Sequence, residues 1–144
     1  MKKIVLLADD DSDDYEIFKE SLHEADCATE LIRVDNGEGV FEYLSTSRPR
    51  PDIIFLDLNM PVMSGWQCLA KLKNTSVYRE IPVIMYTTSS HYRDAEIAKD
   101  LNAHGLITKP SDYKLLTQVL KRIICTLGSD DLGSAIHEAY LITQ

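Results

Sequence analysis

The chain has 144 residues, a formal net charge of −8 and 44% hydrophobic residues. That length suits a single domain with apolar content enough for a real core, and there is no low-complexity tract or internal repeat. The acidic balance argues against a general binder of nucleic acid or anionic membrane, which needs a basic face, and suits basic partners or cations. Cys27, Cys68 and Cys125 are widely spaced, with no CxxC pair and no Cys/His metal spacing. They read as reduced thiols of a cytoplasmic protein. Lys2 and Lys3 precede an apolar run, Ile4–Ala8, which is shorter than the ~7–15 residues of a signal-peptide core. No segment approaches the ~18 apolar residues of a membrane span.

The predicted elements alternate along the chain. Lys3–Ala8 is a continuous apolar strand. Tyr15, Phe18, Leu22 and Ala25 then recur at helical spacing over residues 13–25. Glu30–Val34 is a second strand, closed by the turn Asp35-Asn36-Gly37, and Val40, Phe41 and Leu44 give a short helical face. After the loop at residues 47–51, Ile53–Leu58 is the most apolar strand. Gly65–Lys73 is helical, with Trp66, Leu69 and Ala70 on one side. Ile81–Tyr86 is a fourth strand, and Asp94, Ile97, Ala98 and Leu101 mark a helix. Leu106–Thr108 is a short fifth strand, and residues 112–127 form the longest helix, with Leu116, Val119, Leu120, Ile123 and Leu127 as its buried stripe. Strands that are apolar throughout are covered on both faces, as in a parallel sheet. The pattern predicts a doubly wound α/β fold, and such sheets bind ligands beyond the carboxyl ends of their strands.

Those ends carry the chemistry. The end of strand one offers Asp9, Asp10 and Asp11, that of strand three Asp57 and then Asn59, that of strand four Thr87, Thr88, Ser89 and Ser90, and that of strand five Lys109. Hard divalent cations take oxygen ligands, often one or two carboxylates with phosphate and water. An aspartate can attack phosphorus to give an aspartyl-phosphate. A metal and a lysine can neutralise the transferring group. The set suits phosphoryl transfer to a carboxylate. No GxGxxG follows strand one, and no GxxxxGK[ST] occurs.

The acidic pair Asp9-Asp10, the segment FLDLNMPVMSG (residues 55–65), the strand end MYTTS (residues 85–89) and the stretch TKP (residues 108–110) stand in this order. Together they resemble a receiver domain of the two-component response regulators, of the chemotaxis-receiver type, over residues 1–127. The resemblance implies a flavodoxin-like five-stranded parallel sheet of order 2-1-3-4-5. It implies that Asp57 is the phospho-acceptor, that Asp10 binds Mg²⁺ (or Mn²⁺) directly and Asp9 largely through water, and that Asn59 contributes its backbone carbonyl. Thr87 resembles the switch hydroxyl. Lys109 resembles the lysine that pairs with the acceptor carboxylate and then the phosphate, aimed by a cis Lys109–Pro110 peptide. The implied partners are a sensor histidine kinase or phosphohistidine relay protein and a downstream protein target. Neither DNA nor membrane is expected as a direct partner, and homodimerisation is left open.

The chain also departs from the family pattern. Where many receivers carry a switching aromatic on strand five, it has Leu106, so signal transmission would rest on the Thr87 loop. Asn59 and Ser89 match the positions at which, by the resemblance, receivers tune phosphate lifetime, and Thr88 is bulkier than the Ala or Gly often found there in the family. A phosphorylated state lasting longer than seconds is expected. Residues 128–144 are too few for an output domain and read as a tail. Within it, residues 134–141 have helical spacing, as either a terminal helix packed on its own domain or a docking element. Two other functions stay open. A haloacid-dehalogenase-like phosphatase would want a second aspartate where Asn59 stands. A receiver-shaped interaction module would ignore phosphate. Within DDDSDD (residues 9–14), Asp9 and Asp10 read as a metal pair, Asp11 as either a helix cap or an outer contributor to the metal site, Ser12 as the other candidate cap, and Asp13 and Asp14 as charges meeting the positive end of a helix dipole.

Overall fold

The computed structural model describes residues 2–144. Five strands, β1 (Lys3–Ala8), β2 (Thr29–Val34), β3 (Ile53–Leu56), β4 (Val83–Thr87) and β5 (Gly105–Thr108), form one sheet of order β2-β1-β3-β4-β5. All four pairings are parallel. The helices are α1 (Ser12–Glu24), α2 (Gly37–Leu44), α3 (Gly65–Lys73), α4 (Tyr92–Asp100), α5 (Tyr113–Cys125) and α6 (Leu132–Ile142).

Successive strand side chains point to opposite faces, so each strand feeds two cores. Val5, Leu7, Phe55 and Ile84 lie under Phe18 of α1 and Leu116, Leu120 and Ile123 of α5. Leu6, Ile54, Leu56 and Met85 lie under Val40 of α2, Leu69 and Leu72 of α3, and Ala98 of α4. Crossovers to either side of β1 make its carboxyl end, beside that of β3, the switch point of the sheet.

Local chemistry sets the boundaries. Asp11 caps α1 by accepting from the backbone N–H groups of Asp13 and Asp14, and Ser64 with Gln67 forms a capping box at α3. The fourth strand begins later than expected because Pro82 has no N–H to donate, although its carbonyl still accepts from Ile54. The third strand stops at Leu56, and the carbonyl of Leu58 turns away to accept from Gly65.

The tail is a full helix packed on its own domain. Ala135, Ile136 and Ala139 of α6 are buried against α5 and the β5 edge. Gly105 makes room for this docking: a side chain there would overlap Ile136. The outward backbone N–H of Thr108 on the edge strand is met by Thr143 Oγ1 at 3.3 Å.

Candidate functional site

Asp9 and Asp57 are carried to the same place by the pairing of β1 with β3, and the backbone N–H of Asp57 donates to the carbonyl of Ala8. Asp10 follows on the exposed rim. One carboxylate oxygen each from Asp9, Asp10 and Asp57 lies within 4.8 Å of the others, the geometry of an oxygen-donor cation site. Asp9 is fully buried, and its two oxygens are committed to the backbone N–H of Asp11 at 3.0 Å and to Lys109 Nζ at 2.9 Å.

Lys109 enters from the end of β5. Its side chain is 8% exposed, and its ammonium donates to Asp9 and, at 2.7 Å, to Asp14, and stands 3.6 Å from Asp57. It also lies over the Tyr86 ring at 5.3 Å. Burial works against its charge, but the hydrogen bonds to Asp14 and Asp9 outweigh that and raise its pKa. Burial pushes the Asp57 carboxyl up to about 6; Lys109 pulls it down, Asp9 and Asp10 add to the rise, and the backbone N–H of Asn59 opposes it. Three carboxylates, those of Asp9, Asp14 and Asp57, thus share one ammonium, and burial outweighs its pull on the Asp57 carboxyl. The Tyr86 phenol is raised by burial and by Asp14, Asp9 and Asp57, and stays neutral.

Thr87 is fully buried at the end of β4, and its hydroxyl accepts from the backbone N–H of Ser89 at 3.1 Å. The Ser89 hydroxyl is turned the other way, donating to Asp94 Oδ2 at 2.6 Å in the first turn of α4. Thr88 and Asn59 are exposed, consistent with positions at the mouth of the site. Leu106 is buried beside Met85 and Ala98 as ordinary core packing.

Two features differ from expectation. The Lys109–Pro110 peptide is trans, since no cis bond occurs among the described residues. Trans is the lower-energy isomer of an X–Pro bond, and here the lysine is aimed by its ion pairs and by its backbone N–H, which donates to the Thr87 carbonyl. Asp14 holds the lysine directly, where only a helix-dipole role was expected. The one sequence signal for this was a surplus of acids beyond a metal pair and a cap. Gly65 is a further requirement: a Cβ there would collide with the carbonyl oxygen of Asp57 itself. Any larger residue at the start of α3 would displace the acceptor.

The family model of the response regulator receiver domain matches residues 5–121. Response regulator Rcp1 of Synechocystis sp. is 30% identical over 126 residues, covering 84% of this chain and 86% of that protein. The phosphorylated cyanobacterial phytochrome response regulator RcpA superposes with a TM-score of 0.79 at 30% identity, over 88% of this chain and 94% of that one. The Mn²⁺-bound form of Rcp1 gives 0.73 at 30% identity, over 84% and 91%. Other relatives are far longer: the chain spans 15% of the sensor histidine kinase CheAY of Helicobacter pylori, at 30% identity over 121 residues. The chain belongs to the response regulator receiver domain family. Its acid cluster supports the phospho-acceptor chemistry of that family.

Proposed function

We propose that the protein acts as a response regulator of the cytoplasm. Asp57 takes a phosphoryl group from the phosphohistidine of a sensor histidine kinase or relay protein, and the modified chain then binds a protein target. The observation that carries this reading is the buried Asp57 carboxylate, grouped with Asp9 and Asp10 within 4.8 Å and 3.6 Å from Lys109.

The residues divide the work. With its pKa near 6, Asp57 is largely ionised at neutral pH yet poorly solvated, which favours attack on phosphorus. One carboxylate oxygen bonds to phosphorus as the phosphorus–nitrogen bond to imidazole breaks, and the imidazole keeps the electron pair. Lys109 already stands beside the acceptor and can neutralise the arriving charge. Thr87 accepts one hydrogen bond, from Ser89, and its hydroxyl proton can be donated to a phosphoryl oxygen. The oxygen-only donor set and the excess of negative charge fit Mg²⁺ or Mn²⁺, held by Asp9, Asp10, Asp57 and the Asn59 carbonyl. When bound, the cation supplies positive charge against the carboxylates and the phosphoryl oxygens.

Asn59 cannot act as a general acid, which leaves the haloacid-dehalogenase-like reading without its second carboxyl. An interaction module indifferent to phosphate has no need of this complete set. The net charge of −8 disfavours direct DNA binding. Because RcpA is a phytochrome response regulator, a phytochrome-type histidine kinase is the first donor to try. A kinase loaded with radiolabelled phosphohistidine should pass its label to the wild type and not to Asp57→Asn. Equal labelling of the two would remove Asp57 from the role.

A further inference from the structure

Outside the acidic site, the molecule brings two cysteines together. Cys27 lies in the turn between α1 and β2, and Cys125 is the last residue of α5. These helices lie side by side on one face of the sheet, and their packing puts two thiols that are 98 positions apart in sequence at a Sγ–Sγ distance of 3.6 Å. Cys125 is exposed and Cys27 partly buried, so a small solute reaches the pair from solvent. Cys68 belongs to α3 and is buried on the opposite face of the sheet, with its sulfur turned towards the start of α2.

We propose that Cys27 and Cys125 are a redox-modification site that closes to an intramolecular disulfide when the protein meets hydrogen peroxide, and reopens with thiol reductant. Exposure sets the order of events. The Cys125 thiolate attacks one peroxide oxygen, the O–O bond breaks, and the departing hydroxide takes a proton to become water. Cys125 is then a sulfenic acid. Cys27 loses its proton and attacks that sulfur, the S–O bond breaks, and a second water leaves. Two thiols have lost two electrons and two protons, and one peroxide has been reduced to two waters. Burial raises the Cys27 thiol pKa, with Cys125 adding to the rise, while the Lys121 ammonium opposes it. That combination fits Cys27 to the second, resolving step, where proximity rather than thiolate abundance drives reaction.

The sulfurs must close from 3.6 Å to bonding distance, about 2.05 Å. Both residues sit where the backbone can yield. Cys27 follows Asp26, which has φ 53°, and precedes β2. Cys125 ends its helix ahead of the turn through Gly128 into α6. The bond would fasten the α1–β2 connection to the carboxyl end of α5. Cytoplasmic thiols are ordinarily kept reduced, so it acts as a response to oxidant and not as a permanent staple. It does not depend on the phosphoryl reading.

The test uses the full reduced chain, free of reductant, exposed to hydrogen peroxide and followed by intact mass, peptide mapping and thermal melting. The expected product is monomeric and lighter by two hydrogen atoms, with a peptide joining residues 27 and 125. Its melting temperature is higher by about 5 °C or more, because the bond closes a long loop of the unfolded chain. Dithiothreitol reverses both changes. Cys68→Ser should behave as wild type, whereas Cys27→Ser should gain oxygen at Cys125 and lose no hydrogen. Oxygen addition without cross-linking in the wild type, a bridge to Cys68, or a disulfide-linked dimer as the main product would each overturn the proposal.

Discussion

Removing the charge of Asp57 should stabilise the metal-free protein at neutral pH. The folded carboxyl titrates near 6 against an ordinary 3.8, mainly because it is buried. The gap is roughly two pH units at ~1.4 kcal/mol each, so ionised Asp57 costs the fold about 3 kcal/mol. The sign follows from proton binding. Between about pH 4 and 6 the native state holds this proton more tightly than the unfolded chain does. The stability tied to the proton is present below pH ~4 and is lost as pH rises through ~6. In Asp57→Asn that loss disappears, although Lys109 gives up its 3.6 Å partner. With EDTA present, the variant should melt about 5 °C above wild type at pH 7.5, allowing for that lost pair, and the gap should shrink towards pH 5. Melting curves followed by circular dichroism would show this. A variant less stable than wild type at pH 7.5, or a gap that does not change with pH, would refute the burial account of Asp57.

Four further perturbations probe the metal site, its surroundings and the C-terminal helix. Millimolar Mg²⁺ should raise the wild-type melting temperature by a few degrees, as about tenfold excess over its dissociation constant stabilises by ~1.4 kcal/mol. Asp10→Ala should abolish that shift in the same assay, because it removes the rim carboxylate of the cluster. Gly65→Ala should cost about 3 kcal/mol or more in urea unfolding, since its methyl meets the Asp57 carbonyl in packed backbone. Truncation after Leu127 uncovers the surface under Ala135, Ile136 and Ala139. It should lower stability by about 2–4 kcal/mol without changing the strand order; an unchanged denaturation midpoint would show that α6 contributes nothing.

Most of the fold was legible because each strand's burial is written into its composition. Lys3–Ala8 and Gly65–Lys73 emerge with the boundaries their patterns predict. Asp9, Asp57, Thr87 and Lys109 were legible for a topological reason: once the alternation is recognised as a parallel sheet, each must fall at a carboxyl end. What could not be read depends on relations between elements. Asp14 reaches Lys109 only because the first turn of α1 and the lysine side chain that follows β5 converge on one site, which no spacing within one segment encodes. The turning of Ser89 towards Asp94, the docking of Ile136 on Gly105 and the meeting of Cys27 with Cys125 are of the same kind. The isomer at Pro110 failed differently: family resemblance implied cis, and the backbone is trans.

The proposed acceptor role of Asp57 is open to a direct chemical test. Incubation with a small phospho-donor such as acetyl phosphate and Mg²⁺, followed by intact mass and borohydride trapping with peptide mapping, tests it most directly. The wild type should gain one phosphoryl group, trapped at Asp57, and Asp57→Asn should gain none. A phosphoryl group trapped at any other residue, or labelling of Asp57→Asn at the wild-type rate, would contradict the account.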